Sequence, residues 1–189
     1  MKEQQSTDES LMLLYKKGDQ SAFETLYMRY KDMLYRYFIN HCGDKYQSEE
    51  LYQDVWIKLI NSASRYQVSA KFQTYIFTIA HNTLVDFYRK KKPIESIDEG
   101  NTNTVDEVMQ SSSPLSLPED EFTLKQKSKK LIQALHDLPA DQKEAIILHL
   151  ELELGIEKIA KITNVKFETA KSRLRYAKNK LKAAIQNES

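Results

Sequence analysis

The sequence predicts an all-α protein: two small helical domains joined by a flexible acidic linker, the C-terminal one built around a helix-turn-helix. Only four glycines and four prolines occur among 189 residues, too few for a chain of strands and tight turns. The long runs between them are rich in Leu, Lys, Glu, Gln and Ala and place apolar residues at helical spacing. Charge is also sorted along the chain, although the formal net charge is only +1. Ile94 to Glu121 holds eight acids and no Lys or Arg, whereas Lys158 to Lys182 holds nine bases and one acid, Glu168. Such segregation points to nucleic acid at one end.

Taken in order, Thr7 or Asp8 caps a first helix with Leu11, Leu14 and Tyr15 on its apolar face, ending at Gly18. Asp19 caps a second, long helix whose stripe runs from Ala22 and Phe23 to Tyr37 and Phe38 and stops at Gly43. Its many tyrosines are expected to bury their rings and wet their hydroxyls. Ser48 opens the third helix, with Leu51, Val55, Ile57 and Leu59 available for the core. Glu50, Gln53, Asp54 and Trp56 are left over as a polar face with one aromatic, a pattern suited to docking a partner, although Trp56 equally suits the core.

Asn61 to Lys71 breaks the periodicity and reads as a loop. The fourth helix follows, with the stripe Phe72, Ile76, Ile79, Ala80, Thr83, Leu84 and Phe87, stopped by Pro93. Aromatic rings are interleaved there with Arg65, Lys71, Arg89, Lys90, Lys91 and Lys92. Rings stack on unpaired bases and cations follow a phosphate backbone, so this pattern suits a single strand; a core helix with a solvated basic tail is the plainer reading.

Pro93 to Pro118 has no apolar period and reads as a flexible linker, expected to be disordered and to lie where a cationic channel would take nucleic acid. Helical pattern resumes near Glu119, and Pro139 suits the first position of a helix that packs Ala145, Ile146 and Leu150. From Gly155 to Lys182 two amphipathic faces, Ile156, Ile159, Ala160, Thr163 and then Ala170, Leu174, Ala177, Leu181, flank Thr163-Asn164-Val165-Lys166. Asn164 tolerates the left-handed backbone a sharp turn needs, and Val165 fills the angle. The second helix turns Lys166, Lys171, Arg173, Arg175 and further lysines outward, as a phosphate-lined major groove requires.

No phosphate-binding glycine loop, zinc signature, cysteine pair or nucleophile motif occurs. His41, His81, His136 and His149 lack ligand-spaced companions, so no metal, cofactor, catalytic residue or small-molecule substrate is expected. The lone Cys42 fits a reducing cytoplasm. The opening residues lack the apolar core of a secretory signal, and no run is long enough to insert into a membrane.

Together the segments resemble the extracytoplasmic function (ECF) group of bacterial RNA polymerase sigma factors. Gly18 to Tyr30 is similar to the family's first motif, Glu49 to Leu59 to its polymerase-binding helix, Phe72 to Asp86 to its promoter-melting segment, and Leu138 to Leu148 with the helix-turn-helix to its upstream-promoter reader. Departures are Tyr75 for the usual Trp, Asn164 for Gly, Ala170 for Val and Thr163 for Leu, the last expected to weaken the apolar seam.

The resemblance implies an alternative sigma factor, not an enzyme, whose partners are core RNA polymerase, promoter DNA and an anti-sigma factor. It divides the chain into an N-terminal domain (1–93) for polymerase binding and the downstream promoter element, an acidic linker (94–120) and a C-terminal reader of the upstream element (121–189). Glu50, Leu51, Gln53, Asp54, Trp56 and Leu59 would bind polymerase. Arg65, Tyr66, Lys71, Phe72, Tyr75, Asn82, Asp86, Arg89 and Lys90 would hold the downstream strand, Tyr66 or Phe72 stacking a flipped base and the Asn82 amide reading its edge. Lys166, Thr169, Lys171, Ser172, Arg173, Arg175 and Tyr176 would contact the upstream element. The alternative from another class is a free-standing helix-turn-helix repressor or activator with a dimerising or sensing N-terminal domain. A helical nucleic-acid-processing enzyme is disfavoured by the missing catalytic constellation.

Overall fold

A computed structural model describes residues 6–91 and 119–186, all helix and connection with no strand among them. The linker expected over 94–118, with the disorder and channel mimicry expected of it, lies outside the described residues, as does Lys92.

Four helices make the N-terminal unit. Thr7 caps α1 (Asp8–Lys16) by accepting from the Ser10 N–H, and Leu11 and Met12 are its buried residues. Leu14, expected on that face with Leu11 and Tyr15, is 41% exposed, and Met12 fills the buried position instead. Asp19 caps α2 (Gln20–Cys42) through the Ser21 and Ala22 N–H groups, and Gly43 ends it at φ +65°, a left-handed position that glycine fills without strain.

Helix α3 (Lys45–Ser62) starts earlier than Ser48. Asp44 caps it by accepting from the Gln47 N–H, while the Ser48 hydroxyl donates back to the Asp44 carbonyl and is buried. The chain expected to loop from Asn61 instead finishes α3 and adds a 3-10 turn, Ala63–Arg65, so the open connection is only 66–71. Helix α4 (Phe72–Lys91) then packs Phe72, Ile76, Phe77, Ala80 and Leu84 against α2 and α3. Tyr37, Phe38, Phe72, Phe77, Met12, Leu26, Leu34, Leu59 and Ile76 are the large, fully buried side chains of this core.

The C-terminal unit holds α5 (Glu119–His136), α6 (Ala140–Leu152), α7 (Ile156–Ile162) and α8 (Phe167–Gln186). Pro139 stands at the N-cap of α6, one place before the expected first helical position. Ala145 and Ile146 are buried, but Leu150, also assigned to the core, is 62% exposed. Glu153 takes a left-handed backbone, φ 51°, to end α6, so the chain turns before Gly155, which caps α7.

The two units touch. Helix α6 lies on α2, and α7 lies on α4. Where they meet, the Tyr37 hydroxyl and His81 Nδ1 both reach Glu144 Oε1 at 2.7 Å. Two turns further along α6, Glu151 accepts from Arg36 Nε at 2.7 Å and from Asn40 at 3.5 Å. Nothing in the spacing of either domain forecast this juncture.

Candidate functional site

On α3 the 3-and-4 spacing carries Glu50, Gln53, Asp54 and Ile57 to one exposed face. Ile57, assigned to the core from the sequence, is 54% exposed, and Ile60 beside it is 44% exposed. Trp56 goes the other way. It is 6% exposed, with its ring edge-on to Phe23 at 5.8 Å and tilted against Tyr27 at 4.9 Å. Leu51 and Leu59 are equally buried, so these three expected contact residues are core, and the apolar anchor of the face is Ile57. The inferred core stripe of α3 holds at Leu51, Val55 and Leu59; only its fourth member changes, Trp56 being buried beside Val55 where Ile57 was expected.

The second region gathers the 66–71 connection and the outer stripe of α4. Arg65, Lys71, Asn82, Arg89 and Lys90 are exposed, and Tyr75 and Asp86 are half-buried. Tyr66 and Phe72, the two candidate stacking walls, are buried, their rings 6.4 Å apart and tucked toward Tyr30 and Tyr75. Neither presents a face to solvent. Tyr75 is the aromatic left at this surface, its hydroxyl 2.8 Å from Ser62 Oγ. Asp86 pairs with Arg89 at 2.9 Å, and that exposed pair contributes little to stability. Lys58, which sequence reasoning passed over, reaches across from α3 to Thr83 at 2.8 Å, and only the α3–α4 packing reveals it.

The helix-turn-helix forms as its pattern predicts. Asn164 is left-handed at φ 51°, Val165 packs on the core, and Ala170, Leu174, Ala177 and Leu181 are the buried residues of α8. Thr163 is buried at the end of α7, where its hydroxyl donates to the Ile159 carbonyl at 2.8 Å, so the polar atom in the seam has a partner. Lys166, Thr169, Lys171, Arg175 and Tyr176 are exposed, Ser172 partly so, and the Arg175 guanidinium lies 5.1 Å from the Tyr176 ring centre. Arg173 differs from its neighbours. It turns back to pair with Asp141 on α6 and lines a cavity of about 360 Å³ between α4, α6 and α8.

That cavity also meets His41, His81, Tyr88, Lys143 and Glu144. Burial pushes the Glu144 carboxyl upward, but hydrogen bonds and charge from His81, with His41 and Tyr37 adding, outweigh it and leave the group below its ordinary range. His41 Nδ1 donates to the Tyr37 carbonyl at 2.7 Å, which leaves Nε2 buried without a partner. Burial lowers its pKa to about 4, so the ring is neutral. Burial also raises the Cys42 thiol to about 11, far from a reactive thiolate. Among the described residues no cluster of three or more His, Cys, Asp or Glu could hold a metal ion, and no helix is long and apolar enough to cross a membrane.

Comparison with known proteins decides between the readings. Residues 26–94 match the family described as Sigma-70 region 2, and residues 128–181 match Sigma-70, region 4. The chain belongs to the ECF sigma factors. It is 29% identical to the ECF sigma factor SigW of Bacillus subtilis over 174 residues, 91% of this chain and 93% of that one. The ECF sigma-E factor of Haemophilus influenzae is 28% identical, with 97% of each chain covered. Two solved structures share the sigma factor's fold. CnrH, determined with the cytosolic domain of CnrY, has a TM-score of 0.69 at 16% identity and covers 97% of this chain and 100% of its own. RpoE of Bartonella quintana, determined with the anti-sigma factor NepR, has a TM-score of 0.64 at 24% identity and covers 88% and 98%. As an alternative sigma factor the protein binds core RNA polymerase and directs promoter-specific initiation, a regulatory role. A free-standing helix-turn-helix regulator has no reason to carry a region 2 match ahead of its reader.

Proposed function

We propose that this sigma factor uses three separate surfaces: the outer face of α3 for polymerase, the 65–71 connection with the Asn82 stripe of α4 for the opened downstream strand, and the outward side of α8 for the upstream element. The domain limits follow, with 1–93 and 121–189 as working units and 94–120 between them; α5 already begins at Glu119. The observation carrying this reading is that α3 leaves Glu50, Gln53, Asp54 and Ile57 unburied on one face while its opposite face is packed. A polar rim around an aliphatic anchor is the composition of a protein-binding surface.

Downstream, Arg65, Lys71, Arg89 and Lys90 supply cations for phosphates, Tyr75 supplies the stacking ring in place of Tyr66 and Phe72, and the Asn82 amide both donates to and accepts from a base edge. Upstream, Lys166, Thr169, Lys171, Ser172, Arg175 and Tyr176 face the groove, and Arg173 joins them once it leaves Asp141. One structural relative was determined with the anti-sigma factor NepR and another with the cytosolic domain of CnrY, which supports a protein anti-sigma partner for this chain as well, acting in the cytoplasm where polymerase resides.

The test is affinity for core RNA polymerase without DNA. Asp54→Ala combined with Ile57→Ala is expected to weaken binding tenfold or more, as loss of an anchor costing about 2 kcal/mol would. Unchanged affinity in a folded variant would sink the α3 assignment. Asn82→Ala is expected to impair opening of a duplex promoter more than binding to one mismatched in advance, with Lys171→Ala weakening both through the upstream contact.

A further inference from the structure

Helix α1 has no role in the three surfaces above, yet it grips both ends of the connection between the 3-10 turn and α4. Glu9 Oε1 accepts from the Phe72 N–H at 2.8 Å. Phe72 is the first residue of α4, whose opening N–H groups have no partner within the helix, and the preceding residues, Ala70 and Lys71, carry no side-chain oxygen to cap them. The cap is therefore supplied from 63 residues earlier in the chain. At the other end of the connection, Lys16 Nζ donates to the Tyr66 carbonyl at 2.8 Å. Glu9 and Lys16 stand two turns apart on α1, about 10 Å along its axis, and so span the gap between Tyr66 and Phe72.

Helix α1 is itself fixed. Asp8 accepts from both Arg29 and the Tyr30 hydroxyl on α2, and Leu11 and Met12 are buried beneath it. Tyr30 in turn lies edge-on to the Phe72 ring at 5.2 Å. Tyr66 is also held by its buried ring, but between Tyr66 and Phe72 the connection has little else to hold it. Among its backbone bonds are Tyr66 N–H to the Ala63 carbonyl at 3.1 Å and Ser69 N–H to the Gln67 carbonyl at 2.9 Å, and Gln67, Val68 and Ser69 are exposed. A pocket that discriminates between bases must hold its groups to roughly 0.5 Å, which an untethered loop does not achieve.

We infer that α1 is a specificity-determining brace, in which Glu9 and Lys16 act as positioning residues that fix the 66–72 segment and thereby set which downstream base it accepts. This rests on the assignment of that segment to base capture. Neither side chain needs to touch DNA. Glu9 sets where α4 begins relative to the connection, and Lys16 sets where the connection leaves the core at Tyr66.

The experiment uses holoenzyme assembled from core RNA polymerase and the full chain. It is mixed with single-stranded DNA oligonucleotides randomised over a short window, and the captured and input pools are sequenced. Glu9→Ala and Lys16→Met are each expected to reduce base enrichment about tenfold, the scale of one charge-assisted hydrogen bond, while total capture and affinity for core enzyme stay unchanged. Glu9→Gln, which keeps an acceptor for the Phe72 N–H, and Lys16→Arg, which keeps a donor for the Tyr66 carbonyl, are expected to restore enrichment. A contribution to folding alone would move melting temperature and total capture, not base preference at constant capture. Lys16 is exposed, so its variants stay folded even if Glu9→Ala does not. Full enrichment in Lys16→Met overturns the brace. Should the unmodified protein show no base enrichment, base capture itself is refuted and the brace with it. Enrichment lost in Asn82→Ala but retained in both α1 variants would leave base capture standing and remove only the brace.

Discussion

At Glu144 burial and hydrogen bonding pull in opposite directions, and the partners win because Tyr37 and His81 both reach one carboxylate oxygen. At His41, on the same cavity, burial outweighs the Glu144 charge and the Tyr37 carbonyl that favour the proton, and its pKa falls to about 4 from an ordinary 6.5. The sign follows from where the proton goes. Between pH 6.5 and 4 the unfolded chain takes up a proton that folded His41 refuses, so its contribution is complete above about pH 6.5 and declines as pH falls toward 4. His136, lowered by burial and by Lys143, adds in the same direction. Stability, read as melting temperature, is therefore expected to drop between pH 7 and 5, at up to about 1.4 kcal/mol per pH unit from His41. His41→Leu is expected to remove much of that drop, and an unaltered pH profile in that variant would refute the assignment. None of this was legible in the sequence, where His41 and His81 read as isolated. The acid that joins His81 and Tyr37 is 63 and 107 residues away from them, and only packing brings it there. Trp56 was open for a related reason: an aromatic ring serves a core and a contact surface equally well, and which one depends on whether rings of another helix, here Phe23 and Tyr27, lie against it.

Among elements, the helix-turn-helix was the most legible because its signals are local. A left-handed residue and a clean apolar stripe on α8 agree, and the buried set of α8 is the predicted one. Asn164 at φ 51° carries the turn. Asn164→Val is expected to lower stability by about 1 to 2 kcal/mol in urea titration, since a β-branched side chain resists that backbone, whereas Asn164→Gly should change it by only a few tenths. Equal stability of all three proteins would mean that the turn relaxes to another backbone. Elements were misplaced where two caps competed. Ser48 and Asp44 both suit the start of α3, and Asp44 takes it, leaving the Ser48 hydroxyl to bond within the first turn. Likewise α3 runs past Asn61, since Ser62 bonds to the Leu59 carbonyl and the 3-10 turn prolongs the helix. Helix α1 was recognised as an element, but its grip on Phe72 and Tyr66 is invisible to any periodicity.

Across the whole molecule, the two units were foreseen and their contact was not. Polar residues of α2 and α4 meet the acidic edge of α6, and each side alone looks like an ordinary helix face. Removing one partner from such a buried cluster typically costs about 3 to 5 kcal/mol, because the other members are left unpaired. The native chain is expected to melt in one calorimetric transition, with the two units unfolding together. Glu144→Ala is expected to uncouple them, so that α5 to α8 and α1 to α4 melt as separate events. A single transition retained in Glu144→Ala would assign the coupling to the apolar contacts around Leu138 and Leu84 instead.

The Glu144 carboxylate has two satisfactory surroundings, the Tyr37 and His81 donors or bulk water, and anything between leaves a charge without partners. The juncture is therefore expected to open in one step rather than through a half-open position. A binder that needs the units apart meets only the unlatched fraction, and its apparent dissociation constant rises in inverse proportion to that fraction, about tenfold for each 1.4 kcal/mol of latching. Substitutions at Tyr37, His81 or Glu144 can thus tighten binding to a distant partner that they never touch.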